Sequence, residues 1–353
     1  MPKRTDIKKI WEASRFDWVI PIAQRTALGD NYELDRLNIW LNDWSRNNPP
    51  FKGINWKCGQ EAAIRVIHLL AVAFIFKQDI NPQKALRSLI YIHLRRIHPT
   101  IGYAVGQSNN HGTSEACALF IGGSFIGGKW GSKFEKIGRM LLEDRAKELI
   151  LDDGTFSQYS TVYHRLMIDT FCFAEIWRRR HKLFPFSDTL LKRLTLATCW
   201  MEQFTCLKTG GAPNLGANDG THILSFTNVD TRDFRPSLQL ASNLFRGSSI
   251  IAPDFVNQQL KWLRVKPIEK FVPSPKSATF DVGGFHVLRK NDATVYFRYP
   301  RFRFRPSQAD VLHLDFWVNG KNILRDAGSF SYNTSQEDLD YLVYQFEKAG
   351  FKG

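Results

Sequence analysis

The stretch from Gln60 to Phe76, QEAAIRVIHLLAVAFIF, decides the first part of the fold. Apolar residues recur there at i, i+3, i+4 and i+7, the spacing that puts them on one side of an α-helix, and few positions on the other side are charged. The same period returns outward along the chain in Pro82 to Ile97, Ser114 to Ile126, Phe134 to Leu151, Val162 to Arg178 and Leu190 to Phe204, so that about Arg36 to Phe245 reads as helix after helix. Short breaker-rich connections separate them, at Asp79 to Pro82, Pro99 to Gly106, Gly127 to Ser132, Asp152 to Gly154 and Phe184 to Ser187. Short loops force antiparallel neighbours, so the expected architecture is helical hairpins set in an arc or ring. No fixed-period repeat is visible, which favours an irregular toroid over a regular solenoid.

Beyond a long Gly, Asn and Asp-rich segment (Thr209 to Phe234) and a Pro-containing stretch, the period changes to two. Thr279 to Leu288, Thr294 to Tyr299, Val311 to Val318 and Asn322 to Asp326 read as strands, with turns at Lys290 to Asp292 and at Asn319-Gly320. Asn-Gly supplies the two positive-φ residues of a tight hairpin. The expected division is a helical domain over 1–248, a linker over 249–277 and an antiparallel sheet domain over 278–353, an α+β multidomain chain.

Forty-eight Lys and Arg against 34 Asp and Glu give a formal charge of +14. That surplus creates a field suited to an anionic partner, and nucleic acid, anionic lipid and acidic glycan all answer to it. No helix gathers Lys and Arg on one face as a groove reader would, so nucleic acid is not expected. The longest apolar run, Leu69 to Phe76, is far short of the ~20 residues of a membrane helix. Five cysteines in apolar helical contexts, without a CxxC pair, read as free thiols.

Two segments carry groups suited to chemistry. Gln107-Ser108-Asn109-Asn110-His111-Gly112 reads as a loop ahead of a helix whose first turn holds Glu115, where capping by Asn110 or Ser114 is the routine reading and ligand binding the sharper one. Asp152 to His164, DDGTFSQYSTVYH, again runs from loop into helix and brings Tyr163, His164 and Arg165 together. There Tyr163 either packs or faces a ligand, and the Asp152-Asp153 pair is either a solvated turn or a hydrolase carboxylate.

Taken in order, the blocks Asn55-Trp56-x-x-Gly59-x-Glu61-x-x-x-Arg65, Asn109-Asn110-His111 with Glu115, Asp153 to His164, Asn218-Asp219-Gly220, Arg232 to Pro236, and Gln308 to Asn333 resemble the heparinase II/III-like polysaccharide lyases, alginate lyases of the same build among them. The resemblance spans about Asp6 to Tyr332. It implies an incomplete (α/α) toroid of helical hairpins joined to an antiparallel β-sandwich, of which only the first strands are expected here, with both ends of the chain cut relative to the family pattern. It implies a substrate, an acidic uronate-containing polysaccharide, and a reaction, β-elimination, in which the C5 proton is removed and the C4–O bond breaks.

By resemblance, Asn110 and His111 hold and neutralise the uronate carboxylate and Tyr163 serves as base or acid. Asn109, Gln158, His164, Arg165, Arg232, Arg235 and Gln308 are expected to line the cleft. Gln308 stands where the family often has a His; an amide can donate to a carboxylate but cannot accept the C5 proton, which points to a Tyr-based mechanism. The metal position of some relatives falls on Asp310 and Asp326, and two carboxylates without His make a poor transition-metal site, so neither metal nor cofactor is expected. The family suggests a periplasmic or cell-envelope location, whereas residues 1–20 lack a signal-peptide pattern, leaving the cytoplasm as the alternative. Oligomeric state is not readable. Other functional readings are a toroid glycoside hydrolase using Asp152 or Asp153 with Glu115, and a non-catalytic acidic-glycan-binding or assembly protein.

Overall fold

A computed structural model describes residues 7–251, 255–306, 308–328 and 335–348. Ser329 to Asn333, the end of the last motif block, and Asp6 lie outside the described residues.

The helices sort into two layers by burial. Every residue of the helix Gly59–Ile75 is buried, as is most of Asn110–Ile126, Thr161–Arg180 and Arg235–Phe245. Asn31–Asn47, Lys84–Ile97, Gly128–Leu149 and Asp188–Gln203 bury only one stripe each. Each inner helix packs on the next inner one and on its outer hairpin partner, which produces an arc of antiparallel pairs. A helix apolar all round has no solvated face, so the near-continuous apolar run from Ala62 to Ile75 selects the inner layer.

Helix Asn110–Ile126 approaches its partner Gly128–Leu149 backbone to backbone. A Cβ on Gly138 would lie 2.3 Å from Phe120 N, and one on Gly123 would lie 2.4 Å from Glu135 N. Only residues without a side chain permit that contact, and Gly123, Gly131 and Gly138 supply them along the seam.

The sheet is a five-stranded antiparallel meander in the order β1 (Ala278–Phe280), β2 (Phe285–Lys290), β3 (Ala293–Arg298), β4 (Leu314–Val318) and β5 (Lys321–Leu324). Thr279 to Leu288 is therefore two strands, divided by a turn ending at Gly284 with φ +77°. Asn319 and Gly320 both have positive φ, 51° and 78°, as the Asn-Gly hairpin requires. The strand expected from Val311 begins only at Leu314, because positive φ at Asp310 and Leu312 breaks the extended backbone. Among the described residues there is one sheet, followed by the helix Gln336–Lys348.

The described residues 249–251 and 255–277 form a packed strap. Gln239 Oε1 accepts from Ile250 N at 2.8 Å, and Ser249 pairs with Lys270 and Val272 through backbone hydrogen bonds. The sheet meets the helices through an aromatic cluster of Tyr159, Trp200, Phe204, Phe280, Phe285, Tyr296 and Trp317. Trp200 and Phe204 stack at 3.9 Å between ring centroids, and Phe204 stacks on Tyr296 at 5.2 Å. Asp153 adds a polar tie, its Oδ2 accepting from Gly283 N at 2.8 Å.

Candidate functional site

Helix Asn110–Ile126 starts four residues ahead of Ser114, because Asn109 caps it: its side-chain oxygen accepts from His111 N at 2.9 Å. Asn110 and His111 are thus the first two helical residues and not part of a loop. Asn109 is a cap, and Gln158 is a clamp whose Oε1 accepts from Asn110 N at 2.9 Å. With Ser157 Oγ donating to Ser108 O at 3.0 Å, the loop before Asn110 and the loop before Tyr163 are tied side by side. The Asn110 side chain is almost wholly buried yet makes no hydrogen bond with a described residue.

Tyr163 sits in the first turn of the helix capped by Ser160, whose Oγ accepts from Tyr163 N at 3.2 Å. Its hydroxyl donates to Asp219 Oδ2 at 2.8 Å, and Lys8 Nζ donates to the same oxygen at 2.9 Å. Burial raises the Asp219 pKa, but the Lys8 ammonium and the Tyr163 hydroxyl outweigh it, so the carboxyl ends below its ordinary value and is ionised. Arg15 lies within electrostatic range of Asp219 and forks onto Glu61, with Nε and Nη2 both at 2.8 Å from its carboxylate oxygens. His111 feels both Glu61 and Arg15; burial, the largest influence, lowers its pKa from 6.5 and keeps the imidazole uncharged at neutral pH. Lys8, Arg15, Glu61 and Asp219 therefore connect the His111 and Tyr163 helix starts.

The expected cleft residues divide. A cleft of about 1030 Å³ lies between the 209–235 loop and the sheet, and Arg165, Arg232 and Arg235 line it together with Asn214, Asn218, Trp317, Asn322 and Arg325. Arg165 is itself buried, with Nη1 donating to Thr231 O at 2.5 Å and its guanidinium 4.3 Å over Phe234. Arg235 is paired with Asp233 at 2.6 Å and Arg232 with Asp230 at 2.7 Å, so their charges reach the cleft partly compensated.

His164 does not line the cleft. It is buried, its ring is stacked 4.3 Å from Trp200, and Nε2 contacts Ala197 O at 2.9 Å, because an i+1 neighbour of Tyr163 turns toward the outer helix. Gln308 is not among the cleft-lining residues; its carbonyl accepts from Arg298 Nη2 at 3.3 Å. Asn110, His111 and Tyr163 also stand outside the cleft lining, and the link between them and the cleft is Asp219, whose neighbours Asn218 and Gly220 form its wall. The expected single groove is thus two adjoining regions joined at the Asn218–Gly220 turn.

The hydrolase pair does not assemble. Asp152 points outward to Arg193, and both oxygens of Asp153 take backbone N–H groups, from Thr155 at 3.0 Å and Gly283 at 2.8 Å. Glu115 is buried against Gly59, and desolvation pushes its carboxyl up to about 8. Asp310 is committed to Arg298 at 2.5 Å, and among the described residues no three His, Cys, Asp or Glu side chains gather as a metal site.

Lys8 and Arg15 carry no signal in the sequence, since their partners are far along the chain. Asp219 lies in the Asn-Asp-Gly block, but nothing local reveals that it takes the Tyr163 hydroxyl. His222, from the same loop, sits 3.8 Å from Asp169, and burial holds its pKa down at about 3.

Residues 272–343 match the family described as heparinase II/III-like, C-terminal. A heparin-sulfate lyase of Bacteroides stercoris is 24 % identical over a 366-residue alignment that covers 94 % of this chain and 51 % of that protein. The crystal structure of heparinase III superposes with a TM-score of 0.68 at 19 % identity, covering 93 % of this chain and 52 % of its own. That of the heparan sulfate lyase HepC from Pedobacter heparinus gives a TM-score of 0.53 at 21 % identity, covering 97 % and 52 %. The chain spans about half the length of these relatives. The two structures share its α+β fold, helices followed by sheet, and residues 272–343 carry the heparinase II/III-like C-terminal match, so the chain is similar in fold, and in the sequence of its sheet region, to the heparinase II/III-like proteins.

Proposed function

We propose that this chain supplies the catalytic surface of a polysaccharide lyase that cleaves a uronate-containing glycan by β-elimination. The observation that carries the reading is the Tyr163 hydroxyl, donating to an Asp219 carboxylate that Lys8 also holds, at a helix start tied to that of Asn110 and His111. Similarity to a heparin-sulfate lyase supports the same reaction class.

The chemistry has three demands. A proton α to a carboxylate is very weakly acidic, so charge must be stabilised as the enolate forms; the unpartnered amide of Asn110, at a helix N-terminus, is suited to grip that carboxylate. A base must take the C5 proton; burial keeps His111 uncharged, which does not suit the charge-neutralising role expected from the sequence but leaves an imidazole able to accept that proton at neutral pH, with Tyr163 then as the acid. An acid must protonate the departing C4 oxygen, and the Tyr163 phenol carries its proton in the resting state, donating it to Asp219. The C5 proton thus goes to His111, the electron pair forms the C4–C5 double bond as C4–O breaks, and the Tyr163 proton goes to the leaving oxygen. Return of the His111 proton to Tyr163 through solvent resets the site. Arg165, Arg232, Arg235 and Arg325 give the adjoining cleft its affinity for acidic sugars.

The test is incubation of the protein with a panel of acidic polysaccharides while ultraviolet absorbance is followed, with Tyr163→Phe as control. Elimination gives a conjugated unsaturated product, and the variant loses most of the rate. A Tyr163→Phe variant as active as the parent removes Tyr163 from the mechanism. A second reading, a non-catalytic acidic-glycan-binding protein, draws on Gln308 in place of a His; it predicts glycan binding with no unsaturated product at any pH.

A further inference from the structure

A second cavity, of about 630 Å³, also has Trp317 in its wall. Its walls come from Thr205 to Lys208, just past the outer helix Asp188–Gln203, from the strap at Ser274 to Ser277, from the β2–β3 turn and from the β4–β5 turn. Four cations line it, Lys208, Lys276, Arg289 and Lys290, against one acid, Asp292.

None of the four is spent on a carboxylate among the described residues. Lys276 and Lys290 are exposed and have no ion pair with a described residue, and Lys208 donates to the Asn319 side-chain oxygen. Arg289 is held only by neutral oxygens: Gln203 Oε1 at 3.3 Å, the Gln203 carbonyl, Thr294 Oγ1 at 3.0 Å and the Tyr296 hydroxyl. In the larger cleft, by contrast, Arg232 and Arg235 are each paired with an acid, Asp230 and Asp233. Four uncompensated positive charges in one concavity repel each other and focus a positive field inward. A guanidinium fixed by neutral partners is pre-organised for a planar or tetrahedral oxyanion. Thr205, Ser277 and Asn291 add hydroxyl and amide partners of the kind sugar hydroxyls use. Trp317 and Gly320 line both this cavity and the larger cleft, so the two are neighbours sharing one wall.

We propose that the cavity around Arg289, Lys208, Lys276 and Lys290 is an accessory subsite that binds the sulfate or carboxylate of an acidic sugar. It goes beyond the lyase reading, since it assigns binding at a place that takes no part in the elimination.

The test uses two probes. One is a sulfated dextran oligosaccharide, which has no uronate and so cannot be eliminated; the other is an unsulfated uronate oligosaccharide, read in the Tyr163→Phe background. Calorimetric affinity is compared for the parent, the double variant Lys276→Glu/Lys290→Glu, and a control of equal charge change, Lys129→Glu/Lys133→Glu, placed on the distant outer helix Gly128–Leu149. Both pairs are exposed, so folding is not at stake. The expected result is a loss of about tenfold in the cavity variant beyond any loss in the control, shrinking at high salt. A loss with the dextran alone assigns the subsite to sulfate esters, and a loss with the uronate probe alone or with both includes carboxylates. Equal affinity of the cavity variant and the control in both arms overturns the proposal. Because the dextran probe is not a substrate, this outcome is independent of whether the chain cleaves any glycan.

Discussion

Tyr163 and Asp219, 56 residues apart in sequence, are joined by a 2.8 Å hydrogen bond in which the phenol donates to a carboxylate also held by Lys8 at 2.9 Å. The bond fixes the direction of the Oη proton, so in the proposed elimination Asp219 is a positioning residue that acts through Tyr163. Removing the phenol oxygen removes the proton donor, and Tyr163→Phe is expected to lower kcat by about 10²-fold or more, the usual worth of an acid or base group. Asp219→Asn keeps a hydrogen-bonding side chain but loses the charge that Lys8 balances, and a smaller loss of about tenfold is expected. Initial rates of ultraviolet-absorbing product measure both. An Asp219→Asn rate equal to the parent's, with unchanged KM, contradicts the positioning role.

The pH dependence of the proposed elimination is expected to follow from His111. Burial lowers its pKa below the ordinary 6.5, so it is uncharged at neutral pH and becomes charged only as pH falls through that lowered value. A base must be unprotonated, so kcat/KM is expected to be flat near neutrality and to fall on the acidic side, with an apparent pKa under 6.5. His111→Gln is expected to lose both the rate and that acidic limb. A limb that persists unchanged in His111→Gln assigns it to another group.

Periodicity alone locates the hairpins, because a helix buried on all sides must be apolar on all sides, as Ala62 to Ile75 is. The Asn319-Gly320 turn is equally legible, since its geometry demands residues that tolerate positive φ. The departures have a common origin in tertiary contacts. His164 reads like a surface group beside Tyr163, yet the stacked ring of Trp200 from the outer helix encloses it. Gln158 looks like a ligand-facing amide and instead holds the backbone of Asn110. Lys8 and Arg15 take their meaning from Asp219 and Glu61, which no local pattern reveals. The break ahead of β4 comes from positive φ at two non-glycine residues, Asp310 and Leu312, for which the sequence pattern has no marker.

The glycine seam between the helices Asn110–Ile126 and Gly128–Leu149 is a direct stability test. A methyl at Gly138 would lie 2.3 Å from Phe120 N and 2.6 Å from Ala116 O, both backbone atoms that cannot step aside alone. Gly138→Ala is therefore expected to destabilise by about 1–3 kcal/mol or more despite the better helix propensity of alanine. At Gly102, where a Cβ meets nothing within 4 Å, the same substitution is expected to be neutral or mildly stabilising. Urea midpoints of the two variants decide it, and equal midpoints would mean that the helices separate at little cost.

Glu115 gives the sharpest pH test of the interior. Desolvation raises its carboxyl from 4.5 to about 8, against a smaller downward pull from Arg96, so the folded chain holds a proton that the unfolded chain releases near 4.5. Between those two values the native state binds more protons than the unfolded state, and stability falls as pH rises; below the window the group is protonated in both states, and above it the loss is complete. Glu115→Gln removes the titration while keeping the shape. The variant is thus expected to match the parent near pH 4.5 and to become progressively more stable than it toward pH 8, by on the order of a few kcal/mol. Thermal midpoints of parent and variant measured across that range carry the prediction: the two curves diverge with rising pH if the buried carboxyl is protonated, and run parallel if Glu115 is ionised in the folded chain.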